Sequence, residues 1–280
     1  MPWSFERVAG PYSFTEGPVW TGDALLFTDI RNSRVMKYDP RSGTCVEEYS
    51  GTNEANGLTL DREGRLFVAE GSGRRVAHYR TDGSRTTIAD HYDGKRLNSP
   101  NDLVVDDRGR VWFTDPRYGD RSDMDLEHDS VYRADPGSDG SWAITRVSFD
   151  TTRPNGLAFS PDFTTLYVAE SPPAPNGRRQ LRAYPVGADG TLGAHRVLHD
   201  FGPHRGIDGM RVDGIGMIVA SCGSTQSGPG PRIALFSPTG EVVAEHPTVV
   251  NPTNCCFGDT DLRSLYVTGY DGCLYRARTT

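Results

Sequence analysis

No apolar run in this chain approaches the ~20 residues that a bilayer-spanning helix needs; the longest extend only a few residues. The opening stretch, MPWSFERVAG, also lacks the basic segment followed by an apolar core that marks a secretory leader, so a cytoplasmic location is expected. Positive charge is in short supply: 30 Lys and Arg stand against 37 Asp and Glu, giving a formal net charge of −7. The basic residues are scattered, which argues against a nucleic-acid surface. The five cysteines are an odd number and form no CxxC pair. Cys255 and Cys256 are adjacent and would face opposite sides of a strand, so thiols buried or half-buried in a reducing compartment are expected. No GxSxG elbow is present, since neither Ser72 nor Ser221 sits in that frame, and no HExxH occurs. Cys222 is a weak candidate nucleophile. No long stretch carries the 3.6-residue period of an amphipathic helix.

What the chain has instead is repetition. With 36% hydrophobic and 24% charged residues over 280 positions it is globular, and 32 Gly with 19 Pro suit a fold of many turns. Six segments share one internal order: EGPVWTGDALLFTD (16–29), NGLTLDREGRLFVAE (56–70), NDLVVDDRGRVWFTD (101–115), NGLAFSPDFTTLYVAE (155–170), DGMRVDGIGMIVAS (208–221) and NCCFGDTDLRSLYVTG (254–269). Their lead residues are separated by 40, 45, 54, 53 and 46 positions, close to one blade of a β-propeller. Each segment gives a short strand, a turn of the Asp-x-x-Gly kind, an apolar strand, and two further strands of alternating character such as RVAHYR (75–80) and RTTIAD (85–90). The sixth ends without a fourth strand, and SFERVA (4–9) before the first lead residue supplies a spare one. The expectation is an all-β, six-bladed β-propeller over 1–280 as one domain. It has four antiparallel strands per blade, and the N-terminal strand completes the last blade, which removes two open edges.

In a propeller the first strand of each blade lines the central channel, so the lead positions form a ring of Glu16, Asn56, Asn101, Asn155, Asp208 and Asn254. Taken singly, Asn-Gly and Asp-Gly mark turns. Six in matched register are better read as oxygen donors converging on one axis, with formal charge −2. Hard cations suit such a cage. Ca²⁺ is the first choice; Mn²⁺ or Mg²⁺ is acceptable, and Zn²⁺ is less natural without His or Cys.

The motifs EGPVW, LNSPNDLVVDDRGRVWFTDPRYG, RPNGLAFSPDFTTLYVAES, DGMRVD and PTNCCFG together resemble the gluconolactonase and regucalcin (senescence marker protein) family of six-bladed calcium propellers, over nearly the whole chain. The resemblance implies a divalent metal on Glu16, Asn155 and Asp208, with Asn101 near both metal and substrate. It also implies hydrolysis of lactones, with Asp208 as general base or nucleophile. Two positions depart from the pattern: Ile207 stands where many relatives have Pro, and Ser99 where regucalcin-like members carry Arg. The second departure bears on a sugar-acid lactone as substrate more than on the metal.

Other candidates surround this core. Asn56, Ser99 and Asn254 are expected on the substrate side of the ring. Tyr118, on the long acidic loop 115–130, is the expected contact from a candidate lid. The stretch 171–179 is a second rim loop, and His204, close before Asp208, is within reach of the mouth, with an ordinary surface-loop histidine as its plainer reading. A small-molecule substrate is implied, with neither nucleic acid nor membrane as partner. Two alternatives to lactone hydrolysis stay open: a phosphotriesterase-like or other biosynthetic reaction on the same cage, or a calcium-binding propeller without turnover. A strictosidine-synthase-like propeller would lack this ligand set.

Overall fold

The computed structural model describes residues 2–174 and 176–279. Six four-stranded antiparallel sheets follow one another along the chain. Blade one consists of Thr15–Trp20, Leu25–Asp29, Arg34–Asp39 and Thr44–Ser50, and the next four blades repeat that order. In the sixth, Pro252–Gly258, Ser264–Gly269 and Leu274–Arg278 are joined by Glu6–Ala9, with Glu6 opposite Arg276 and Arg7 opposite Tyr275. The ring is therefore closed by the N-terminal strand, two residues shorter than the 4–9 expected from the pattern. The first strands of successive blades touch in ring order, and the sixth meets the first. A hairpin of His91–Tyr92 and Lys95–Arg96 lies outside the blades. Among the described residues no helix is long and apolar enough to cross a membrane.

Strand composition follows position in the blade. Second strands such as Leu25–Asp29, Leu66–Glu70 and Val111–Asp115 are buried along their full length and read as continuous apolar runs. Outer strands such as Thr44–Ser50 alternate and stay half exposed. Each blade-to-blade interface holds one apolar cluster, six clusters in all. Cys255 enters the cluster against blade five and Cys256 the one against blade one, so the two thiols do face opposite sides. At ~1.5–3 kcal/mol for each fully buried large side chain, these interfaces rather than the polar axis hold the ring together.

The turn linking first and second strands repeats a single device. Asp61 Oδ1 accepts the Glu63 and Arg65 amides, Asp106 Oδ1 those of Arg108 and Arg110, and Asp213 Oδ1 those of Ile215 and Met217. At the other end of the second strand a buried acid grips the loop that leads into the channel. Asp115 accepts the Asn98 and Ser99 amides, and Glu170 those of Thr152 and Arg153.

Candidate active site at one mouth of the channel

Five of the six inner strands break register at the lead residue: between Glu16 and Val19, Ala55 and Leu58, Pro154 and Leu157, Ile207 and Met210, and Pro252 and Cys255. Each is a bulge, an extra residue that bends the strand and turns the lead side chain towards the axis. Blade three differs, because its regular ladder begins only at Leu103, two residues beyond Asn101. In four blades the residue after the lead is glycine, and there the neighbouring strand closes on it. A Cβ on Gly156 would lie 2.5 Å from the Asp208 carbonyl oxygen and 2.8 Å from the Gly209 Cα. In blade three that slot carries a carboxylate, Asp102.

Two linked pairs form the inner set. The Asn155 amide Nδ2 donates to Asp208 Oδ1 at 2.7 Å and to the Tyr118 hydroxyl at 3.0 Å. The Asn254 amide Nδ2 donates to Glu16 Oε2 at 3.0 Å and, across the ring, to Asp102 Oδ2 at 3.3 Å. The Gly17 amide adds a second donor to Glu16 Oε2. Glu16, Asp102, Asn155 and Asn254 are all buried. Burial, then the nearby charges of Asp208 and Asp102, pushes the Glu16 carboxyl well above the usual carboxylate range. Burial also raises Asp208, against the pull of the Arg205 guanidinium and the Asn155 amide.

Two arginines that the motif reading did not single out frame this set. Arg205 Nη2 bonds Asp208 Oδ2 at 2.6 Å and the Pro252 carbonyl at 3.0 Å, while Nη1 bonds the Gly223 carbonyl at 2.6 Å. Its guanidinium carbon lies 4.9 Å from the centre of the Tyr270 ring. From the far side Arg211 approaches Asp102 Oδ2 at 3.9 Å and bonds the Met210 and Pro18 carbonyls.

A cavity of about 320 Å³ opens over Asn155 and Asp208, lined by Tyr118, Arg205 and Tyr270 and by Pro172, Pro203 and Ile207. A larger one, about 630 Å³, lies at the other mouth against Trp20, Leu60, Arg211 and Phe257. The smaller cavity is the candidate site, because Asn155 and Asp208 line it and no lead residue lines the larger one. Tyr118 reaches it from the loop between Asp115 and Ser130, whose base is tied by Arg117 to Asp123 (2.6 Å), Arg121 to Asp129 (2.9 Å) and Arg96 to Asp125 (2.8 Å). Arg153 stacks over the Tyr118 ring at 5.3 Å.

The remaining sequence candidates fall elsewhere. Asn56 and Asn101 are half-buried lead residues of blades two and three. Asn254 was expected at the substrate, but it is almost fully buried and its amide is engaged by two carboxylates. The Ser99 hydroxyl donates to the Gly71 carbonyl at 3.2 Å, so it holds the loop before Asn101. His204 is half-buried and lies outside the cavity wall, although Pro203 and Arg205 on either side line it. Asp102 was legible in principle, since it is the one acid in a slot otherwise held by Gly17, Gly57, Gly156, Gly209 and Cys255.

Glu16, for which no cation is found among the described residues, Asp208 and the amide oxygen of Asn155 offer the oxygen donors that suit a hard divalent ion. They also suit the binding of a small polar molecule above it. Known proteins of similar sequence and structure are named as lactonases. The chain is 33% identical to a gluconolactonase from Zymomonas mobilis, covering 91% of this chain and 76% of that one. It is 32% identical to a 6-deoxy-6-sulfogluconolactonase from Pseudomonas putida, over 93% and 84%. A solved gluconolactonase structure from Xanthomonas campestris superposes with a TM-score of 0.87 at 31% identity, over 99% and 90%. The model of the SMP-30/gluconolactonase/LRE-like region matches residues 14–270, and the chain belongs to that family.

Proposed function

We propose that this chain is a metal-dependent lactonase whose site is the cavity over Asn155 and Asp208. The enzyme is a hydrolase of the lactonase class, in line with its relatives. The observation that carries the reading is the closeness of two carboxylates, buried Glu16 and half-buried Asp208, from blades one and five, at the floor of a cavity of small-molecule size. In this reading Glu16, Asn155 and Asp208 hold a divalent cation, Ca²⁺ by donor type, with Asn101 facing it from blade three. Such an ion, when bound, polarises the lactone carbonyl and favours the oxyanion that forms on attack.

The chain's own groups supply the rest. Asp208 keeps one oxygen for ligation and orients a water with the other, taking its proton as the water oxygen adds to the carbonyl carbon. The acyl–oxygen bond of the ring then breaks, the ring oxygen gains a proton, and a hydroxy acid results. The Asn155 amide and the Arg205 guanidinium fix the Asp208 carboxylate in place from both sides. Tyr118 and Tyr270 cover the substrate from the rim and restrict water.

The test is hydrolysis of a panel of γ- and δ-lactones and a phosphotriester, before chelation, after it, and after Ca²⁺ is returned. Lactone turnover that disappears on chelation and recovers with Ca²⁺, and is absent in folded Asp208→Asn, is the expected result. Normal lactone turnover by Asp208→Asn would sink the assignment of that residue. Turnover of the phosphotriester alone would replace lactone hydrolysis with the rival reaction.

A further inference from the structure

The cavity wall is unusual for a site that must read a polyhydroxylated ring. Among its lining residues are Pro172, Pro173, Pro203 and Ile207, which offer no side-chain donor or acceptor. The Ser171 hydroxyl also lines the cavity, but it is turned to the Ile207 carbonyl. The Tyr118 hydroxyl accepts from the Asn155 amide and keeps its own proton to donate, and Tyr270 is the other phenol in the wall. Beyond these two phenols and the charged groups nothing in the wall pairs with the several hydroxyls of a sugar ring, and a hydroxyl buried against proline without a partner costs ~1–3 kcal/mol.

Charge in the same wall is one-sided. Two guanidinium groups line the cavity, Arg179 and Arg205. Arg179 is buried and fixed by the Pro173 and Ala174 carbonyls at 3.2 and 2.9 Å, neutral acceptors that leave its charge uncompensated. Arg205 is fixed by two more carbonyls, so its cation stays at the mouth regardless of the state of Asp208. Among the described residues the one carboxylate in the wall is Asp208. Once a divalent ion balances Glu16 and Asp208, the two arginines are the surplus charge facing the substrate.

We infer that the substrate is a lactone poor in hydroxyls that bears an anionic group, a carboxylate or its equivalent, held by Arg205 and Arg179 while its hydrocarbon edge lies against the proline wall. This rests on the lactonase reading above. Guanidinium pairs anions through short charge-assisted bonds, and here the forks are already immobilised by backbone carbonyls, so little side-chain freedom is lost on binding.

The experiment uses the full chain with Ca²⁺ and three neutral-pH substrates: γ-butyrolactone carrying a carboxymethyl group on the carbon beside the ring oxygen, the same ring carrying a propyl group, and glucono-δ-lactone. The expected result is a kcat/KM for the carboxymethyl lactone at least about tenfold above both others, the size of one charge-assisted hydrogen bond. In Arg205→Gln and Arg179→Gln the ratio of carboxymethyl to propyl lactone should fall about tenfold or more. A purely structural role for the arginines would lower both rates together and leave the ratio unchanged, which would refute their assignment. Equal or faster turnover of the propyl or sugar lactone by the unaltered protein overturns the inference and leaves the lactonase reading intact. Failure to open any of the three overturns both.

Discussion

Gly156 offers the sharpest test of how the axis is built. Its backbone is not in the left-handed region, so alanine adds no conformational strain and the effect is steric alone. The new Cβ would stand 2.5 Å from the Asp208 carbonyl oxygen, whereas ordinary contact begins at 3.4 Å; the overlap is 3.4 − 2.5 = 0.9 Å. Neither strand yields easily, since Pro154–Phe159 and Ile207–Val212 are each laddered to a buried second strand. Overpacking of this kind costs ~1–3 kcal/mol, and the upper half applies where both partners are backbone. For a chain of this size that lowers the melting temperature by about 3–5 °C. Spreading the two strands also displaces the 2.7 Å contact between Asn155 and Asp208, and misplacement near 1 Å costs about a hundredfold in rate. The control is Gly214→Ala, where a Cβ meets nothing within 4 Å and stability should stay within ~0.5 kcal/mol. Thermal melts and lactone kinetics on the two variants decide the matter. A Gly156→Ala protein that melts and turns over like Gly214→Ala would refute close packing of the inner strands as the device that sets the site.

Three further outcomes follow from named contacts. Arg211→Met leaves Asp102 buried without its cation and should cost about 3–5 kcal/mol, while Asp102→Asn with Arg211→Met should recover most of that loss in denaturant melts. For Asp29, burial raises the carboxyl but bonds from Ser13, Asn32 and Arg34 outweigh it, so its folded value lies below the usual 3.8. Its contribution is present above 3.8 and lost as pH falls through the folded value; Asp29→Asn should flatten unfolding free energy against pH below about 4, and an unchanged slope would contradict the pairing. Ca²⁺ at a hundred times its dissociation constant should stabilise the chelated protein by ~2.7 kcal/mol, and Asp208→Asn should abolish most of that shift in a melting assay.

The ring was legible because its signal is repeated: six copies of one frame outvote the local reading of each Asn-Gly as a hairpin turn. The missing fourth strand and the spare N-terminal one were legible for the same reason. The bulges were not, since a register break leaves no mark in an Asn-Gly pair that a turn would not also leave. Asp102 was overlooked because the frame treats the residue after the lead as a spacer, and only the close approach of neighbouring strands makes that slot reach the axis. Arg205 precedes the fifth repeat and Arg211 is the one arginine at its position in the frame. Arg205 meets Asp208 three residues on, but their other partners, Gly223, Pro252 and Asp102, come from other strands and blades, and no spacing in the chain encodes those meetings. Asn254 belongs to the repeat, yet its packing sends it to Glu16 and Asp102 instead of the cavity.

The pairing of charges on the axis explains why one lead residue differs from the rest. Three carboxylates meet there, and two have a guanidinium: Asp208 is bonded by Arg205 from the mouth, and Asp102 faces Arg211 from the far side. Among the described residues Glu16 has none and receives only the neutral Gly17 and Asn254 donors. A buried carboxylate without a cation costs several kcal/mol, and glutamine would take both of those bonds through its carbonyl oxygen without that penalty. Stability alone therefore argues against an acid at position 16. On the proposed reading, a divalent ion held by Glu16 and Asp208 together would reverse that balance, with the Asp102–Arg211 pair left as it is. The difference is measurable. Glu16→Gln should melt at or above the unaltered protein when both are chelated, and below it when Ca²⁺ is present. Equal melting temperatures in Ca²⁺ would mean that the glutamate serves no cation.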